Sequence, residues 1–226
     1  MIHVLDNPIW SALTSGNSNL SNGNNEIKYF DIEVSPFVGL KENSSQNLKL
    51  LYEQVQHTEP IIFVATEEME IPGQWKVLQC IKSFQMINDS PVTIITNGPQ
   101  LVPLTVADVP QMLALTKLTV PGPFAPRTIE FGHYYGIFDG DKLVAMTGQR
   151  MHAFEYAEAS AVCTHPDYLG RGYARQLLLF HLQRIKAAGN IPFLHVRYNN
   201  TRAIKVYESL GFLTRREIFF YALLKN

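Results

Sequence analysis

Residues 161–174 read AVCTHPDYLGRGYA and join an apolar run to a long amphipathic stretch through two glycines. The run before Pro166 is typical of a strand, and apolar residues with helical spacing follow Gly172 as far as residue 188. Gly189 and Asn190 predict the end of that helix. The segment therefore predicts a strand that turns directly into a helix.

This turn is suited to bind a phosphate group. The first N–H groups of a helix have no internal partner and carry partial positive charge. Gly170 and Gly172 have no Cβ to keep an anion from the backbone, and Arg171 and Arg175 add positive charge. The alternative is a turn that only begins a helix, and the glycines alone do not decide between the two.

A second motif, NTRAIKVYESLGF, occupies residues 200–212. Asn200 is a suitable N-cap and Gly211 a suitable end for a short helix. Tyr207 falls on the apolar face of this helix. Taken alone, such a tyrosine is more often a core aromatic residue than a catalytic acid.

Working outward, the chain alternates between strand and helix patterns. Apolar periodicity and turn residues predict helices over 47–56 and 106–116, strands over 60–65, 77–87, 158–164 and 191–196, a hairpin over 133–151, and final strands over 212–224. This order predicts a mixed α/β sheet, mostly antiparallel, with helices on its faces. The turn formers Asn97, Gly98 and Pro99 predict a boundary between an N-terminal α/β domain, residues 1–98, and a second domain, residues 99–226.

Composition narrows the classes of partner. The net charge is −1, but residues 160–226 hold ten Lys and Arg against three Asp and Glu. No basic stripe interleaved with aromatics accompanies this charge, so a small anion such as a phosphorylated cofactor is expected and a nucleic acid is not. The two cysteines lack a CxxC partner and no histidine pair has metal-ligand spacing, so we expect no metal.

No membrane partner is expected either. The chain lacks an uninterrupted apolar run of the roughly 18 residues that a membrane span needs, and residues 1–6 lack the layout of a signal peptide. The sequence therefore predicts a cytoplasmic protein and leaves the oligomeric state open.

Together the two motifs resemble the acetyl-CoA-binding half of the GNAT N-acetyltransferase superfamily, and most closely the C-terminal domain of its glycine N-acyltransferase-like branch. The glycine loop [RQ]xxGxG/A of the family is matched at Gly170 and Gly172, whereas Leu169 departs from the pattern. The later pattern NxxAxxxYxxxGF is matched at Asn200, Ala203, Tyr207, Gly211 and Phe212. The resemblance covers residues 101–224, and some family members carry a degenerate copy of the fold before it.

The resemblance implies a GNAT fold with acetyl-CoA bound between residues 161–164 and 193–196 and its pyrophosphate on the glycine loop. The cofactor-binding residues that it implies are Val162, Cys163, Thr164, Leu169, Gly170, Arg171, Gly172, Tyr173, Ala174, Arg175 and Asn200. An N–H group near Val162 or Cys163 would polarise the thioester carbonyl, and an acceptor amine would attack it directly. Tyr207 would protonate the departing thiolate, because its hydroxyl is protonated at neutral pH.

The general base and the acceptor are less well defined by the sequence. Glu158 is the first candidate base and His152 the second, and the alternative for Glu158 is an exposed carboxylate without a catalytic role. Phe124 and Arg127, in the proline-rich loop 119–128, are predicted to border the acceptor pocket. Arg127 would bind a carboxylate there, unless it is only a solvated loop charge.

These residues predict an N-acetyltransferase for a small primary amine or an amino acid. The alternatives are a non-enzymatic sensor of CoA or acyl-CoA and a peptide or protein N-acetyltransferase. The first 98 residues are acidic and contain no pair of closely spaced glycines, so we expect one CoA per chain, bound by the C-terminal domain. The N-terminal domain is expected to support the sheet and to wall the acceptor site.

Overall fold

The computed structural model describes residues 3–91 and 99–226. Its strands are β1 Ser21–Gly23, β2 Ile27–Phe30, β3 Val38–Leu40, β4 Ile61–Ala65, β5 Trp75–Ile87, β6 Val102–Pro103, β7 Tyr135–Asp139, β8 Lys142–Ala153, β9 Tyr156–Thr164, β10 Ile191–Arg197 and β11 Leu213–Lys225. Its α-helices are α1 Pro8–Leu13, α2 Ser45–Gln54, α3 Val109–Thr119, α4 Tyr173–Ala187 and α5 Thr201–Ser209.

Eight strands form one sheet in the order β4-β11-β5-β10-β9-β8-β7-β6, and β1, β2 and β3 form a small separate sheet. Within the described residues, β9 and β10 are the single parallel pair of the large sheet, and all its other neighbours are antiparallel. The predicted mixed, mostly antiparallel sheet with flanking helices is confirmed.

The two faces of the large sheet are covered by different helices. Phe193 of β10 packs with residues of α1 and α3, whereas its neighbours Leu194 and Val196 pack with residues of α4 and α5. This alternation follows from the period of two along a strand. The helices of the two sequence motifs, α4 and α5, therefore lie on the same face of the sheet.

The N-terminal segment is built into the large sheet. β5 lies between β10 and β11 and pairs with β11 from Trp75 to Ile87, while β4 pairs with the other edge of β11. The division expected at residue 99 therefore does not separate two sheets. Pairing between distant strands leaves no local mark in the sequence, and Asn97 and Gly98, on which the boundary was placed, lie outside the described residues.

Local predictions agree with the structure to within a few residues. The Asp-Gly turn joins β7 to β8 with Gly140 at φ 57°, as a tight hairpin turn requires. α3 begins three residues later than predicted, after a short 3₁₀ turn at Val106–Asp108. No helix in the described ranges is long and apolar enough to cross a membrane.

Candidate active site

Strands β9 and β10 form a V. They pair only at their first residues, through Ile191 with Tyr156, Pro192 with Ala157 and Phe193 with Glu158. No further pair between them follows in the described part of the chain, although β9 continues to Thr164 and β10 to Arg197. The V opens toward the C-terminal ends of both strands, where the resemblance places the cofactor.

The β9 arm of the V is irregular at Ala161. This residue has φ 51°, a left-handed conformation that is unfavourable for a side chain with a Cβ. The register with β8 breaks at this point, between the pair Met146 and Cys163 and the pair Gly148 and Ser160. One extra residue of β9 therefore lies outside the ladder, next to the N–H groups predicted to polarise a carbonyl.

Cys163 is not suited to carry an acyl group. Its side chain is buried, and burial raises the pKa of its thiol to about 12. The protonated thiol is a poor nucleophile. This agrees with direct attack by an acceptor amine.

The glycine loop ends at α4, as predicted. Gly172 is the N-cap of α4 and no side chain caps the helix. Gly170 and Gly172 have φ of 80° and 79°, which favours glycine, and the space beside their Cα atoms is open. The first N–H groups of α4 are thus exposed to an approaching anion.

Two buried oxygen atoms near this loop have no hydrogen-bond partner among the described residues. They are Oγ1 of Thr164, at the end of β9, and Oε1 of Gln176, in the first turn of α4. Buried polar atoms are nearly always hydrogen-bonded in folded proteins. Their position at both ends of the turn fits a ligand with donor groups, such as the amides and hydroxyls of CoA.

The two arginines beside the loop make different contacts. Arg171 stacks over the ring of Tyr168, with 4.6 Å from its Cζ to the ring centroid, and the Tyr168 hydroxyl donates to Asp139 at 2.6 Å. Arg175 lines a crevice with Leu210 and Gly211. Leu169, which departs from the family pattern, is exposed.

The second motif supplies α5. Oδ1 of Asn200 accepts a hydrogen bond from the N–H of Ala203 at 3.1 Å, which confirms its predicted role as N-cap. Tyr207 packs in the cluster beneath α4 and α5, and its ring meets that of Phe212 edge-on at 5.9 Å. Burial raises the pKa of Tyr207 to about 12, so its hydroxyl holds its proton at neutral pH.

Glu158 lies at the apex of the V and is fully buried. Its carboxylate accepts two hydrogen bonds from Arg150, at 2.8 and 2.6 Å, and lies 2.7 Å from Nδ1 of His195. Burial alone would raise the pKa of Glu158, but Arg150 and His195 outweigh it and lower the pKa to about 2. Such a carboxylate is a weak base, which disfavours both the general-base role and the exposed position considered for Glu158.

His195 was missed in the sequence because its partners come from other strands. Oε1 of Gln85 accepts from Arg215, so the Gln85 amide N–H groups point to the carbonyl of Leu5 and to Nε2 of His195. Nε2 is therefore the acceptor, and Nδ1 carries the proton donated to Glu158. The Glu158–His195 bond joins the two arms of the V just beyond their last backbone pair.

The residues predicted to border the acceptor pocket are already engaged. Arg127 forms two hydrogen bonds with Glu130 and one with Asp31, and its side chain is 44% exposed. Phe124 packs edge-on against Tyr134. These contacts favour the solvated-charge alternative for Arg127 over a free carboxylate-binding site.

Comparisons with known proteins identify relatives of this chain. Residues 134–220 match the family model of FR47-like proteins. An 84-residue stretch is 38% identical to the N-alpha-acetyltransferase RimI of Mycobacterium tuberculosis, and it covers 35% of this chain and 51% of that protein. The match thus spans about half the length of this curated relative.

Solved structures extend the similarity to the whole chain. A crystal structure from Novosphingobium aromaticivorans, assigned to the GNAT acetyltransferases, is 35% identical and covers 100% of both chains with a TM-score of 0.92. A GCN5-related N-acetyltransferase of Kribbella flavida is 12% identical, covers 95% of each chain and has a TM-score of 0.59, which shows the fold alone. The glycine N-acyltransferase-like branch stays a prediction.

Proposed function

The chain belongs to the GNAT family of acetyltransferases, and on that premise we propose that it transfers the acetyl group of acetyl-CoA to a primary amine by direct attack. The observation that carries this proposal is the V of β9 and β10 with an uncapped helix N-terminus at its open end. The unpartnered oxygens of Thr164 and Gln176 support the same ligand. Acetyl-CoA supplies an activated thioester when bound.

Different residues of the chain bind the cosubstrate and assist the reaction. Backbone N–H groups of Gly172 and the first turn of α4 hold the pyrophosphate, and those beside Ala161 stabilise the negative charge that develops on the carbonyl oxygen. Tyr207 donates its proton to the thiolate leaving group and is reprotonated from water, to which the attacking amine loses its own proton. Asn200 offers its amide N–H groups to the same ligand, since its Oδ1 caps α5.

Glu158 and His195 act as positioning residues in this proposal. Their hydrogen bond sets the separation of the two arms of the V at its apex. The N-terminal segment supports the sheet through β5 rather than binding a second CoA. A cytoplasmic location remains a prediction.

Two classes of acceptor are candidates, a small amine and a peptide N-terminus. A small amine or amino acid was expected from Arg127, but its pairing with Glu130 and Asp31 removes that support. The similarity to an N-alpha-acetyltransferase favours a peptide N-terminus as the second candidate, although the matched stretch covers only part of each chain.

A screen of amines and short peptides for release of the CoA thiol tests the activity. We expect release of the CoA thiol with at least one class of acceptor. This release should stop when the acceptor is omitted. Tight binding of acetyl-CoA without thiol release on any acceptor would instead favour the sensor and overturn the enzymatic proposal.

A further inference from the structure

One half of strand β5 has a free edge. β10 pairs with β5 only from Ser83 to Ile87, and the N–H of Tyr198 then donates to the carbonyl of Lys82. No described backbone group pairs with the same edge between Lys76 and Ile81, although β11 covers the opposite edge. About six residues, close to 20 Å of strand, are thus available for pairing, and a β-bulge against β11 lies at Leu78 within them.

This unpaired edge carries exposed apolar side chains. Val77 and Leu78 are 44% and 45% exposed, and Tyr198 at the end of β10 is 52% exposed. An exposed apolar strand edge is a template for an added strand, and proteins usually cover or blunt such edges. The edge therefore fits an extended peptide that contributes backbone hydrogen bonds.

The position of the edge links it to the V. A strand added here would continue in line with β10, and its near end would lie beside Tyr198, at the C-terminal end of β10 where the V opens. A peptide with its N-terminus at the V would run in the direction of β10 and hence antiparallel to β5. This is the orientation that β10 itself adopts against β5.

We propose that the free edge of β5, residues 76–81, binds the acceptor as an extended, acidic peptide and presents its N-terminal amine to the V. This inference rests on the proposed acetyl transfer.

Charge and area favour a peptide over a second copy of the chain. Lys76, Lys82 and Arg197 lie along the edge or at its near end, and Lys82 pairs with Glu217 at 2.8 Å. Two such edges from two copies would bring like charges together. A pair of strands about six residues long is also small against the roughly 1,200–2,000 Å² that stable protein interfaces bury.

The first test uses the natural protein and a library of six-residue peptides with free N-termini, divided into acidic and basic sets. Each peptide is N-methylated in turn at one backbone position, and acetylation is followed by mass spectrometry. In antiparallel pairing only alternate residues bond to a given neighbour. We expect methylation at alternate positions to lower kcat/KM at least about tenfold, and methylation at the intervening positions to change it little. We also expect acidic peptides to be acetylated in preference to basic ones.

The second test compares Val77→Asp with Val106→Asp. Val106 is 76% exposed in the 3₁₀ turn before α3, so the control places the same charge on a distant valine. Val77→Asp should raise the KM for acidic peptides at least about tenfold while the affinity for acetyl-CoA is unchanged, and Val106→Asp should alter neither. Circular dichroism and acetyl-CoA binding establish that both variants fold.

The outcomes separate the two proposals. If peptides react no better than the amide of their first amino acid, and methylation shows no alternation, the peptide site is overturned while acetyl transfer stands. If acetyl-CoA binds but no amine or peptide is acetylated, the proposed function fails and the peptide site falls with it. Alternation without a preference for acidic peptides would overturn the charge argument alone.

Discussion

Replacing Gly172 by valine should weaken the binding of CoA without unfolding the protein. The new Cβ would stand at the N-cap of α4, where the space is open and the nearest atom, Nε2 of Gln176, lies 4.0 Å away. That space is the approach to the first N–H groups of the helix. A branched side chain there keeps a phosphate from the backbone.

The magnitude follows from the bonds at stake. A hydrogen bond to a charged group contributes about 1.5–3 kcal/mol, so the loss of one N–H to phosphate contact should weaken CoA by roughly 10- to 100-fold. The backbone strain is a separate cost of about 1–3 kcal/mol to folding, because Gly172 has φ 79°.

Gly189 provides a matched control for this strain. It lies just beyond the other end of α4 with φ 77°, and the space beside its Cα is equally open. Gly189→Val should therefore lower stability by a similar amount and leave CoA affinity unchanged. Calorimetric titration of both variants with CoA measures the difference. The phosphate assignment would be refuted if folded Gly172→Val bound CoA as tightly as the natural protein. It would also be refuted if Gly189→Val lost as much CoA affinity as Gly172→Val.

Three further changes probe other parts of the site. Tyr207→Phe should lower kcat by roughly 10²- to 10⁴-fold with acetyl-CoA affinity nearly unchanged, as steady-state kinetics and titration would measure; an equal loss of affinity would make Tyr207 a packing residue. Glu158→Gln should lower the free energy of unfolding by about 3–5 kcal/mol, because it leaves the buried Arg150 guanidinium unpaired; a loss below about 1 kcal/mol in urea titration would contradict the ion pair at the apex. His181 is buried with both ring nitrogens unpartnered among the described residues, and burial, aided by Arg184, lowers its pKa to about 3. The unfolded chain therefore binds this proton more readily, so stability should fall by about 1.7 kcal/mol from pH 6.5 to pH 5, and His181→Leu should remove that slope. A slope that survives the substitution would show that another group causes it.

The parts of the site that lie close together in sequence could be predicted. Gly170 and Gly172 predict a turn, and both adopt the positive φ that favours glycine. The strand before them and the helix after them follow from the local periodicity of apolar residues. The N-cap of α5 at Asn200 is likewise a local feature. These elements need only the chemistry of a few neighbouring residues.

The parts that depend on distant strands could not be predicted. β5 reads as a strand in the sequence, but nothing in residues 75–87 indicates that it enters the sheet between β10 and β11. Glu158 reads as an available carboxylate, whereas in the fold it forms a buried ion pair with Arg150 on β8 and accepts a hydrogen bond from His195 on β10. Arg127 reads as a free charge until the fold brings it to Asp31, 96 residues away.

The most direct test of acetyl transfer by direct attack is a mass measurement of protein and acceptor after incubation with acetyl-CoA. Direct attack predicts one acetyl group on the acceptor amine for each CoA thiol released, and none on the protein, whose Cys163 thiol is buried. Direct attack would be contradicted by an acetylated protein that forms before the acetylated acceptor and disappears as the acetylated acceptor accumulates. Release of the CoA thiol with no acetylated acceptor would contradict the transfer itself.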